Sequence, residues 1–126
     1  MSERNLWGDL SNLRKIRTPQ TILREQATIL NNMTGGVVRA EVTSAGGGGS
    51  LTHQLYLVAP ALDNYRFLVL TVAHDINIYP CRLLSAVNPG TWVECGDEQD
   101  FENKLGTVLS NPKTRRIIES LISQSS

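Results

Sequence analysis

The stretch VVRAEVTSAGGGGSLTHQLYLVA, residues 37–59, decides the fold. Val38, Ala40 and Val42 alternate with Arg39, Glu41 and Thr43. Beyond the glycines, Leu51, His53, Leu55 and Leu57 alternate with Thr52, Gln54, Tyr56 and Val58. A period of two sends alternate side chains to opposite faces of a strand, so each segment can bury one face and wet the other. Two such segments joined by turn-forming residues make a hairpin, with strands expected from Val37 to Thr43 and from Leu51 to Ala59. The connection, residues 45–50, reads as a flexible tip rather than a tight turn, because four glycines in a row impose no geometry of their own. Gly46 to Ser50 also has the composition of an inserted linker. It lacks the Lys-Ser/Thr pair and the following helix that a phosphate loop requires.

Working towards the C-terminus, Pro60 ends the second strand and Asp63-Asn64 supplies turn chemistry, so Tyr65 to Val72 should return antiparallel. Phe67 to Leu70 with Val72 is apolar at consecutive positions, which suggests a central strand covered on both faces by helices or a partner. His74-Asp75 interrupts the run. Ile76 to Leu84 resumes strand character, and Pro80, which has no N–H to give to a ladder, marks an edge or a bulge. A turn at Asn88-Pro89-Gly90 leads to a short strand, Thr91 to Cys95, that carries Trp92.

Helix signals bracket this block. Thr18 can cap a helix that Pro19 opens, and Ile22, Leu23, Ala27, Ile29, Leu30 and Met33 form its apolar stripe, with Gly35-Gly36 as the exit. Asp97 opens a second helix with Phe101, Leu105, Val108 and Leu109, and Asn111-Pro112 opens a third with Ile117, Ile118, Leu121 and Ile122. Links this short leave no room for parallel crossovers. The expected fold is α+β: an antiparallel sheet of four to five strands with one N-terminal and two C-terminal helices mainly on one face. Residues 18–126 form a single domain preceded by an amphipathic arm, residues 1–17.

The composition narrows the function by exclusion. In 126 residues, 12 basic and 12 acidic side chains cancel, which disfavours a polyanion-binding field and hence nucleic acid as a partner. No apolar run approaches the ~18 residues of a membrane span, and residues 1–17 lack the apolar centre of a secretory signal. The expected compartment is the cytoplasm, where Cys81 and Cys95 stay reduced even if neighbouring strands carry them.

The chemistry-bearing residues form no recognised catalytic or metal motif. His53 and His74 lack the His-x-Thr/Ser repeat of two-histidine phosphoesterases. No motif-bearing serine accompanies His74-Asp75, and the two cysteines and two histidines lack any close ligand pair that zinc would use. Glu94, Asp97, Glu98, Asp100 and Glu102 read as carboxylates favouring a helix start. Lys113, Arg115 and Arg116 read as a solvated helix face.

The arm is more informative. Leu6, Leu10, Leu13 and Ile16 fall at helix-like intervals beside Trp7, with Arg14, Lys15 and Arg17 behind them. Its ordinary fate would be to pack across the domain's own sheet or helices; its functional one is to dock on a partner with Trp7 as anchor. The leading expectation is a non-catalytic protein-binding or accessory module of interaction, immunity or chaperone type. Trp7, Leu10, Arg14 and Trp92 would make the contacts with a protein partner or a second copy, and neither cofactor nor metal is called for. The alternative is a small-ligand binder or hydrolase whose pocket, between sheet and helices, is lined by His53, Tyr56, His74 and Tyr79.

Overall fold

A computed structural model describes residues 3–87 and 90–126. Asn88 and Pro89 of the expected turn lie outside the described residues.

The order is helix α1 (Pro19–Met33), strands β1 (Arg39–Gly47), β2 (Ser50–Ala59), β3 (Tyr65–His74), β4 (Cys81–Ser85) and β5 (Val93–Cys95), then helices α2 (Glu98–Leu109) and α3 (Pro112–Gln124). The five strands form one antiparallel meander in sequence order, which is the α+β architecture that the hairpin pattern implied. Caps delimit the helices. Thr18 Oγ1 accepts from the Thr21 N–H at 3.1 Å, Asp97 from Asp100 at 2.8 Å and Asn111 from Lys113 at 2.8 Å. Each cap satisfies one amide that the first helical turn leaves without an intrahelical acceptor.

All three helices cover one face of the sheet. Ile22, Leu23, Phe101, Leu105 and Leu121 from the helices join Leu55, Leu57, Leu70, Val72 and Leu83 from the strands in a single buried cluster. Phe101 is fully buried at its centre. Two members of the α1 stripe are exceptions: Ile29 and Met33 stay exposed at 48 % and 78 %.

The double-sided apolarity read into Phe67 to Val72 has a different cause. Leu55 pairs with Leu70 but Tyr56 pairs with Leu68, so Val69 is an extra residue in β3, a β-bulge. The bulge resets the alternation, and Phe67, Val69, Leu70 and Val72 all pack with the helix-side core. No second apolar layer is needed. The opposite face is polar and aromatic: Arg66 lies 4.5 Å over the Tyr56 ring and pairs with Glu41 at 3.7 Å, and Arg82 lies 5.7 Å from the Trp92 ring.

Several boundaries move. The expected strand from Ile76 is a loop as far as Pro80, with strand only from Cys81. Asp75 explains this, because its side chain accepts from the Asn77 N–H at 2.8 Å and its carbonyl from the Ile78 N–H at 3.0 Å, curling the chain out of the ladder. Ile78 has φ 75°, Ile76 is exposed and the Tyr79-Pro80 bond is cis. β3 continues through His74 rather than stopping at Val72, and the last strand begins at Val93, leaving Trp92 outside it. The glycine run is not a loose tip. Strand pairing continues to Gly47 opposite Ser50, and Gly48 and Gly49 at φ 60° and 81° form a two-residue turn whose twist matches the strands.

Candidate functional site

The hairpin register places Ser44 directly opposite His53 on the helix-facing side of the sheet. His53 is opposite Val72, two residues before His74, so the two histidines are diagonal neighbours on that same side. Their rings lie 5.0 Å apart, inclined by 29°, and are only 5 % and 6 % exposed. His53 Nε2 and His74 Nε2 are 2.9 Å apart, Ser44 Oγ is 2.7 Å from His53 Nδ1, and His74 Nδ1 is 2.7 Å from the Asp75 carbonyl oxygen.

These contacts fix the protons of the neutral pair. A carbonyl can only accept, so His74 Nδ1 carries a proton and its Nε2 presents a lone pair. His53 therefore donates from Nε2, and its Nδ1 accepts from the Ser44 hydroxyl. Ser44 Oγ in turn accepts from the Gln20 side-chain amide at 2.8 Å, in the first turn of α1. Burial holds the His53 imidazole below its ordinary value of 6.5, with the neighbouring His74 and then Arg24 adding to the effect. The chain of bonds thus runs from the Asp75 carbonyl through both rings to Ser44, an exposed residue, and on to Gln20.

The other candidates are dispersed. Tyr56 is on the far face of the sheet, bonded to Gln54 at 3.0 Å. Tyr79 donates to the Arg17 carbonyl at 2.8 Å, and burial first, then Cys81, raises its phenol pKa well above the usual value. Trp92 lies beside Arg82 on the polar face. Cys81 and Cys95 are directly opposite one another on β4 and β5, buried and reduced. Burial, then the adjacent Cys95, pushes the Cys81 thiol up to about 12, and burial also raises Cys95. Neither is poised as a nucleophile. Among the described residues no group of three or more acidic, histidine or cysteine side chains could hold a metal ion.

The arm joins the domain at Arg17, whose guanidinium pairs with Glu25 and Glu102 and lies 3.3 Å from Glu98. Two of the carboxylates read as helix-start charges, Glu98 and Glu102, thus fasten the arm's base, while Asp97 and Asp100 cap α2. Upstream of Arg17, residues 3–16 form no helix or strand, and they do not pack across the domain. Leu6 and Trp7 are 80 % and 83 % exposed, and Leu10, Leu13 and Ile16 are also exposed, as is Arg14. Between the C-terminal half of α1, the sheet and α3 lies an apolar cavity of about 130 Å³ with Ile29, Met33 and Ile118 in its wall. A second groove, from Arg17 past Ile22 and Leu105, meets it at Gln26 and Leu109.

Sequence reasoning missed Ser44 and Gln20. The signal for Ser44 was present: once Gly48-Gly49 is read as a two-residue turn, Gly47 faces Ser50 and counting back puts Ser44 opposite His53. Nothing local pointed to Gln20, which reaches Ser44 only through the packing of α1 on β1. No known family model, curated protein or solved structure matches the chain.

Proposed function

We propose that the protein is a protein-binding module that self-associates, the arm of one copy lying in the groove between α1, α2 and α3 of another. The observation that carries this reading is the exposure of the arm, with Leu6, Trp7, Leu10, Leu13 and Ile16 all facing solvent. Each such side chain gains about 1.5–3 kcal/mol on full burial, offsetting the order that an unstructured segment must acquire on docking. The periodicity of Leu6, Leu10 and Leu13 suits a helix laid into a groove.

Three features favour a second copy as occupant. The groove has its own exposed apolar rim in Ile29 and Met33. Arg17 holds the arm's base at the groove's mouth, so exchange between two copies needs no rearrangement of the domain. Three carboxylates surround the single Arg17 guanidinium, leaving a net negative mouth that complements Arg14 and Lys15 of an incoming arm. A cytoplasmic setting, in which the buried Cys81–Cys95 pair stays reduced, belongs to the same proposal; among the described residues no helix is long and apolar enough to cross a membrane.

Sedimentation equilibrium of the full chain tests this. The expected result is a concentration-dependent dimer that Trp7→Asp with Leu10→Asp abolishes, and that Met33→Asp on the receiving side abolishes equally. A monomer up to millimolar concentration, or a dimer indifferent to all three changes, overturns it.

A further inference from the structure

We propose that Ser44 is a nucleophilic serine, activated by the His53–His74 pair, that accepts acyl groups from small carboxylic esters. This activity is independent of the docking reading, because no arm residue takes part.

The geometry supplies the parts that acyl transfer needs. The nucleophile is exposed, whereas the base that accepts its proton is buried 2.7 Å away. The base is itself held by a third group, His74 Nε2 at 2.9 Å, and His74 is locked in the required tautomer by the Asp75 carbonyl at 2.7 Å. His53 stays neutral near pH 7 and is available to take a proton. The Gln20 side-chain amide donates to Ser44 Oγ at 2.8 Å, which leaves the hydroxyl proton directed at His53 Nδ1. Gln20 lies in the first turn of α1, whose dipole favours negative charge. Gly46, two residues on along β1 and on the same face as Ser44, carries no side chain to crowd the hydroxyl.

In the acylation step a bond forms between Ser44 Oγ and the acyl carbon while the hydroxyl proton passes to His53 Nδ1. The imidazolium keeps its Nε2–H bond to the His74 lone pair, which holds the ring in place while Nδ1 carries the second proton. Collapse breaks the ester C–O bond, and the departing alcohol takes the proton from His53. Water then attacks the acyl-serine and gives its proton to His53, which returns it to Ser44 Oγ as the carboxylic acid leaves. No oxidant, reductant or metal enters the balance. His74 acts as a positioning residue through His53.

The test uses the folded full chain with a fluorophosphonate probe and with p-nitrophenyl acetate. Mass spectrometry should locate the phosphonyl adduct on Ser44, and ester hydrolysis should rise with pH to a plateau above the depressed His53 value. Ser44→Ala, a change at an exposed position, should abolish the adduct with the circular dichroism spectrum unchanged. His53→Gln should slow hydrolysis by about 10²–10⁴-fold. Absence of an adduct on Ser44 in the folded protein overturns the proposal. So does hydrolysis that is equal in the wild type and Ser44→Ala, which would mark it as background chemistry.

Discussion

Replacing His74 by leucine should destabilise the protein more than the loss of one side chain's packing explains, and replacing His53 as well should recover part of the loss. In the wild type every ring nitrogen of the pair has a partner. His74→Leu leaves one His53 nitrogen buried and unsatisfied whichever tautomer it adopts, and it removes the donor to the Asp75 carbonyl. A buried polar group stripped of its partner costs about 1–3 kcal/mol. His53→Leu orphans His74 Nε2 in the same way. The double variant removes all four ring nitrogens and leaves apolar side chains on an apolar face, so its cost should fall short of the sum of the singles by about 1–3 kcal/mol. Urea unfolding reads this directly. With a slope of about 1–3 kcal/mol per molar urea, each single change should move the midpoint by roughly 1 M. Strict additivity of the two substitutions, to within about 0.5 kcal/mol, would show that the two rings share no hydrogen bond.

Three further outcomes follow from the same geometry. Because burial lowers the His53 value below 6.5, the unfolded chain takes up the proton first as pH falls, so this residue's contribution is intact above pH 6.5 and lost progressively below it. Stability measured by urea unfolding should decline from there with a slope of at most about 1.4 kcal/mol per pH unit, and His53→Leu should flatten the decline above the carboxylate range. Cys81 and Cys95 should resist a thiol reagent at neutral pH in the native protein and both react after denaturation; fast native labelling would contradict their burial. Gly48→Asn should be nearly neutral in thermal unfolding, whereas Gly48→Val should cost about 1–2 kcal/mol, since only the former tolerates the positive φ of 60°.

The element order and the helix caps were legible in the chain because they rest on local rules: a period of two in Val38 to Val42, and a Thr, Asp or Asn cap before each helix. The bulge at Val69 was visible only as its symptom, an apolar run where alternation should be. Resolving that symptom required the pairing of Leu55 with Leu70 and Tyr56 with Leu68, which is information between strands. The glycine run misled by number: four glycines suggest slack, but two of them extend a strand and two close the turn. The loop at 75–80 was hidden because Ile76 and Ile78 carry strand propensity while Asp75 captures their backbone neighbours. Burial of His53 could be read from its place between Leu51 and Leu55, but His74 lay beyond the expected end of β3, and its bond to His53 depends on the β2–β3 register, which no local signal gives. The exposure of the arm had no local signature, since its apolar spacing is the same whether the segment packs on its own domain or on another.

Hydrogen exchange of the arm as a function of protein concentration distinguishes an arm docked on a second copy from one that stays free. In dilute solution, residues 3–16 should exchange without protection while the β2–β3 core stays protected. As concentration rises, protection should appear in the arm and simultaneously slow exchange in the C-terminal half of α1 around Ile29 and Met33, the wall of the apolar cavity. Arm amides that exchange freely at every concentration, or that are protected with no dependence on concentration, would contradict docking on a second copy.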